Sequence, residues 1–207
     1  MSNLTGSALL HKLAERVLVR WLVRQGQSDV KATGGLASFG GRTVDLTHSW
    51  QGGIKRIKVK ADPYFGTDQA KIADRSLAFY RARSDAYAFE AVANSMTREP
   101  GWIVESAADE LFYYFLTLSQ PEDELAALIN EPEDVLFSEL RVDQDELVIM
   151  PMKATADWFA ANFERYTPRP VMVKGASAWY RLVPRRDIEG AVSGIRSVGP
   201  IMKTLVP

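Results

Sequence analysis

Two acids sit in segments that alternate like β-strands, and their neighbours define the chemistry to look for. In Ile57-Lys58-Val59-Lys60-Ala61-Asp62, the apolar Ile57, Val59 and Ala61 alternate with Lys58, Lys60 and Asp62. In the segment from Tyr87 to Asn94, Glu90 shares a face with Ala88 and Val92, opposite Tyr87, Phe89 and Ala91. A carboxylate on such a strand is costly to desolvate unless it is paired, protonated or bound to a metal. Two carboxylates are hard oxygen ligands suited to Mg²⁺ or Mn²⁺, ions that contact phosphate directly. Such an ion stabilises charge on phosphoryl oxygens and lowers the pKa of a bound water. Lys60, two residues before Asp62 on the same strand face, can orient that water or stabilise the transition state. The expectation is a metal-dependent phosphodiester-cleaving site built from these two acids on neighbouring strands of one meander, with a lysine beside one of them. Asp62 and Glu90 are its metal ligands, and Asp62, Glu90 and Lys60 its catalytic residues, acting by in-line attack of water.

The elements that must position these groups follow from periodicity. Residues 7–25 read as an amphipathic helix, with Leu10, Leu13, Val17 and Trp21 at helical spacing and Gly26 as its stop. Residues 31–42, punctuated by Gly34-Gly35 and Gly40-Gly41, read as loop. Strands are expected at 43–49 and 54–62 around a tight Gln51-Gly52-Gly53 turn, and a third at 85–94. Residues 67–83 allow a helical turn or two, or an ordered loop. Ser106 with Asp109 three residues on marks a helix over 106–119, whose apolar face is Leu111, Phe112, Phe115 and Leu116. The acidic stretch 121–134 reads as exposed helix or loop, and 135–142 as a strand. The run Leu147-Val148-Ile149-Met150, ended by Pro151, suits an interior, parallel strand. A helix over 153–166 and short strands at 170–174 and 178–183 complete the chain.

That order, α-β-β-β-α-β, resembles the core of the PD-(D/E)XK, or restriction-endonuclease-like, nuclease superfamily in its less characterised phage and bacterial members. The stretches that carry the resemblance are Lys58-Val59-Lys60-Ala61-Asp62, Phe89-Glu90-Ala91-Val92-Ala93-Asn94 and Pro100-Gly101-Trp102. Ser106 through Phe115, and Met150-Pro151 leading to Trp158-Phe159, complete the series. The resemblance implies an α/β (α+β) fold with a mixed central sheet flanked by helices. Residues 1–166 form a nuclease-like core and 167–207 a C-terminal extension packed on it. By position, Asp62 takes the motif aspartate and Glu90 the glutamate of the (D/E)-X-K tripeptide. Val92 stands where the tripeptide lysine belongs, and Lys60 is the replacement. Glu15 resembles the extra acid that many members carry on the first helix. In a second register, Asp45 is the motif aspartate and Lys58-Val59-Lys60 a degenerate tripeptide. One carboxylate beside a cation makes a poor metal site, which favours the Asp62 and Glu90 register.

Composition bounds the rest. The 207 residues are 46% hydrophobic, enough for one large domain with a core. Lys+Arg at 25 against Asp+Glu at 26 gives no global pull toward nucleic acid. A nuclease needs only local cations, so DNA remains the expected partner of an active site here. The absence of cysteine excludes disulfides and thiolate metal sites. Charges break up the apolar N-terminus, so no membrane partner is expected and the location expected is the cytoplasm. A homo-oligomer stays open. GGLASFGGR lacks the GK[ST] of a phosphate-cradling loop, and His11 and His48 read as structural. The alternative to an Mg²⁺-dependent DNA endonuclease is an inactive nuclease-fold protein serving as a binding or assembly subunit. Under that reading Asp62 opens a turn before Pro63, and Glu90 pairs with Lys58 or Lys60 across the sheet.

Overall fold

The computed structural model describes residues 6–39, 42–63, 85–173 and 176–205. The expectation for 67–83 therefore lies outside the described residues. The order is α1 (Gly6–Arg24), β1 (Lys31–Phe39), β2 (Arg42–Trp50), β3 (Gly53–Asp62), β4 (Ala86–Asn94), β5 (Glu99–Pro100) and β6 (Glu110–Leu118). There follow α2 (Glu122–Leu128), α3 (Glu133–Glu139), β7 (Val142–Pro151), α4 (Met152–Asn162), β8 (Pro168–Val173), β9 (Ala176–Pro184), α5 (Arg185–Glu189) and β10 (Arg196–Gly199). Two sheets form. The larger has the order β1-β2-β3-β6-β7-β10, and the smaller β5-β4-β9-β8. In the larger sheet only β3 and β6 run parallel, so the fold is mixed α/β with a mixed central sheet flanked by helices.

The helix α1 lies on one face of this sheet. Leu13, Ala14, Val17 and Leu18, all fully buried, share a core with Leu46, Ile57, Val59, Phe112, Tyr114 and Ile149. Burying each large aliphatic side chain stabilises the fold by about 1.5–3 kcal/mol. The opposite face carries Leu111, Tyr113, Phe115, Val148 and Met150, packed against Tyr87 and Phe89 of β4 and Phe159 of α4. The central sheet thus separates two cores. Among the described residues, no helix is long and apolar enough to cross a membrane.

Several expectations are corrected. The glycine-rich segment expected as loop is strand β1, and its glycines mark a register shift between Ala32 and Ala37 where Gly34 takes φ +59°. The segment expected as a helix over 106–119 is strand β6. Leu111 through Leu116 are buried on both faces of an interior strand, where a continuous apolar run carries no periodicity to read. Asp109 does not cap a helix. Its carboxylate accepts from the Arg56 N–H (2.8 Å) and from Arg56 Nη2 (2.7 Å), fastening the start of β6 to β3. The strand expected over 135–142 is mostly helix, since α3 ends only at Glu139, its first turn acidic after Pro132. The strand at 147–150 is interior as expected but antiparallel to both neighbours. Among the described residues no helix stands between β3 and β6.

The correction with most consequence concerns β4. It does not extend the meander of β1, β2 and β3. It pairs with β5 and β9 in the second sheet, while β3 has β2 and β6 as neighbours. Asp62 and Glu90 therefore do not lie on adjacent strands. Asp62, only 1% exposed, accepts from the Tyr113 hydroxyl at 2.7 Å, and that hydroxyl accepts from the Ala88 N–H at 2.8 Å. Asp62 is the foot of a polar bridge between the two sheets. Replacing Tyr113 with Phe removes the acceptor of the Ala88 amide and one donor to a buried carboxylate. The expected loss is about 1–3 kcal/mol of unfolding free energy, read from urea denaturation, with the secondary structure unchanged.

Candidate metal centre

Residues that the sequence ranks as accessory are those the fold gathers. Glu15 on α1, Asp45 on β2 and Lys58 on β3 meet, joined by His11, one helical turn before Glu15. His11 Nε2 lies 3.3 Å from Glu15 Oε1 and 3.6 Å from Asp45 Oδ1. Lys58 Nζ lies 3.1 Å from Asp45 Oδ2 and 3.3 Å from Oδ1. The ligand atoms of His11, Glu15 and Asp45 all fall within 4.8 Å of one another.

The local fold explains how a strand acid reaches a helix. Leu46 faces α1, so strict alternation would send Asp45 to the other face. Two irregularities release it. The β2–β3 register runs from Trp50↔Gly53 only to Leu46↔Ile57, and on the other side β1 shifts register opposite Val44 and Leu46. The Thr33 hydroxyl sits in that shift and bonds the Val44 carbonyl. Asp45 then folds its carboxylate onto the Val59 N–H at 2.7 Å, replacing a ladder bond. Glu15 arrives by the helical repeat, four residues after His11 on the flank of α1 that faces β2.

Burial makes the charges matter. Asp45 is 2% exposed and Glu15 6%, whereas the His11 side chain is 35% exposed and forms the open side. Burial pushes the His11 pKa down, but its pairing with Asp45 and Glu15 and their charges outweigh this and raise it to about 9. Burial pushes the Asp45 carboxyl up, but pairing with His11, the charges of Lys58 and His11, and the Val59 N–H hold it below its ordinary value. At neutral pH two carboxylates thus face two cations. Glu15 Oε1 is buried and makes no hydrogen bond to any described residue. Its charge partner is His11, at 3.3 Å.

This donor set fits a divalent cation. Two carboxylates and, once its ring proton is released, an imidazole would suit Mn²⁺ and neighbouring first-row ions better than Mg²⁺, which prefers an all-oxygen shell. The exposed edge of His11 supplies an entry path.

The other expected site residues lie elsewhere. Lys60 Nζ stands 5.6 Å from the centre of the Tyr180 ring in the second sheet. The Tyr180 hydroxyl donates to Glu90 Oε2, so Glu90 is a half-buried acceptor of that sheet. His48 is held by the Ser49 carbonyl through Nδ1 at 2.8 Å, as a structural residue would be. His11, expected as structural, is the residue that sequence reasoning misses. The signal that could find it is the placement of His11 and Glu15 at positions i and i+4 of a clear helix. A separate, mostly apolar cavity of about 410 Å³ between β4, β9 and α4 is lined by Ala91, Val92, Phe159 and Trp179, with Asp157 and Arg181 as its charged residues. Compared with known proteins, the chain matches no family model, and no curated protein or solved structure matches it either.

The pairing of His11 can be read directly. Its imidazole proton resonances should titrate with a midpoint near 9, and Glu15→Gln should move that midpoint down toward the ordinary value of about 6.5. Because the folded pKa is raised, the stability from this pairing is complete below about pH 6.5 and is lost as pH rises through about 9. Wild type should lose urea stability over that window relative to His11→Gln.

Proposed function

We propose that the chain is a metal-dependent phosphodiesterase of the PD-(D/E)XK type acting on DNA, with its metal site at Glu15, Asp45 and His11. The observation that carries this reading is the convergence of three potential ligand atoms, two of them on buried acids, within 4.8 Å of one another. A helix, an antiparallel three-strand meander and a further strand parallel to the third carry an acid on the helix, an acid on the second strand and lysines on the third. In the nuclease pattern, that is the register with Asp45 as motif aspartate and Lys58-Val59-Lys60 as the tripeptide. The electrostatic objection to that register weakens once Glu15 supplies a second carboxylate.

A bound divalent ion would supply charge neutralisation at the phosphate and an acidified water. The residues of the chain do the rest. Val59 fixes the Asp45 carboxylate through its N–H, so one ligand is oriented before any ion arrives. Glu15 adds the second charge from a rigid helix. Lys58 brings an ammonium to the same spot from β3.

One observation favours the alternative of a catalytically silent subunit. Lys58 occupies the tripeptide position where the pattern has an acid, and its ammonium already neutralises Asp45. The two readings separate on purified protein. The hydrolase reading expects nicking of supercoiled plasmid with Mn²⁺, reduced on the order of 100-fold by Asp45→Asn and by Glu15→Gln, both still folded by circular dichroism. A wild type that binds Mn²⁺ but leaves every DNA form intact would instead mark the silent subunit. Loss of nicking in Glu90→Gln with full activity in Glu15→Gln would return the site to Asp62 and Glu90.

A further inference from the structure

Lys58 is an unusual neighbour for a cation site, since its ammonium already occupies the carboxylate that an ion needs. We propose that Lys58 is the resident cation of the centre and the phosphate-positioning residue of the loaded one. It holds Asp45 in the metal-free protein, gives it up to the incoming divalent ion, and thereby presents its ammonium to the substrate phosphate. This inference rests on the metal-site reading above.

Three features of the geometry carry it. Lys58 Nζ reaches both Asp45 oxygens, at 3.1 and 3.3 Å, so it covers the whole acceptor edge of the carboxylate and not one corner. The carboxylate itself is fixed. Its Oδ2 accepts from the Val59 N–H at 2.7 Å, and that amide belongs to the backbone of β3. When a cation enters, Asp45 stays and the lysine moves. Its four-carbon stem allows this, because an ammonium makes a point-charge contact with no fixed fork to break. The side chain is 16% exposed, against 3% for that of Asp45, so the ammonium has solvent beside it to move into.

Charge explains the direction of the exchange. Glu15 and Asp45 carry two negative charges, and His11 and Lys58 supply two positive ones. For His11 to ligate, its ring proton must leave to solvent, so a divalent ion entering beside an undisplaced Lys58 would still leave the pocket with a net positive charge in a poorly solvated place. Displacing the ammonium removes one positive charge from the carboxylate while keeping it within reach. A phosphodiester, with its single negative charge, then has both an ion and an ammonium to meet. Lys58 thus weakens the metal and strengthens the substrate, and these effects have opposite signs in one side chain.

The experiment is isothermal titration of the full chain with Mn²⁺ alone and then, at saturating Mn²⁺, with thymidine 3′,5′-bisphosphate. Lys58→Met keeps the stem and removes the charge. It should bind Mn²⁺ about tenfold more tightly than wild type and the bisphosphate about tenfold more weakly. Lys58→Arg keeps the charge and adds a second donor to Asp45, so it should bind Mn²⁺ more weakly than wild type. This second variant keeps the test decisive if Lys58→Met does not fold. Equal Mn²⁺ affinity in wild type and both variants overturns the inference and leaves the metal site standing. Tighter Mn²⁺ with an unchanged bisphosphate affinity also overturns it. Failure of wild type and Lys58→Met alike to bind Mn²⁺ removes the metal site itself, and the inference with it.

Discussion

The candidate centre depends on one hydrogen bond, from the Val59 N–H to the Asp45 carboxylate. Val59 lies in the interior of the sheet, its side chain 2% exposed against α1, and a buried amide without an acceptor costs about 1–3 kcal/mol. Where the β2–β3 ladder ends at Leu46↔Ile57, something other than backbone must take that amide. A carboxylate can take it, and it leaves a second oxygen to meet Lys58 and His11. The break in the ladder and the placement of the acid are therefore one event. A regular antiparallel pair would satisfy Val59 and turn Asp45 away from α1.

The second sheet solves a different problem. Leu111, Tyr113 and Phe115 of β6 form an apolar face that must be covered, and β4 brings Tyr87 and Phe89 to it. The Tyr87 and Tyr113 rings meet edge to face at 4.9 Å. Arg185 closes the periphery. It forks onto both oxygens of Glu146 at 2.7 and 2.8 Å and onto Glu189 at 2.7 Å, and lies over the Tyr87 ring. Its bonds hold the Glu146 carboxyl below its ordinary pKa. A strand of the large sheet, a helix after β9 and a ring of β4 are thus fastened by one guanidinium. Asp62, Tyr113 and Glu90 belong to this joint. The burial of Asp62 and Tyr113 reflects the contact between the two sheets, whereas Glu90 is half-buried and meets Tyr180 of its own sheet.

Part of this is legible in the sequence. The α1 helix shows through its apolar spacing, and β2 and β3 through alternation around a tight turn. The charged residues worth attention are also visible, including Glu15, Asp45 and Lys58. Their ranking is not. It turns on whether 85–94 joins the meander, and that is a long-range choice between two sheets which alternation cannot express. Strand β6 reads as a helix because Leu111, Phe112, Phe115 and Leu116 satisfy a helical stripe, with the intervening Tyr113 and Tyr114 as its flanks. Once both tyrosines are buried, each bonded to an acid, the run is a two-faced strand. Strand β1 is hidden by glycines, which here permit a register shift inside a strand.

His11 shows why partners decide what a residue is. As a lone histidine on a helix flank it carries no signal beyond its spacing from Glu15. Beside Asp45 it becomes an imidazolium held by two buried acids, with Lys58 as the second cation. The pocket sets flexible side-chain donors, one ammonium and one ring N–H, against acceptors held by the Val59 amide and by helix α1. Fixed acceptors with exchangeable donors are what a site needs if another cation is to take their place.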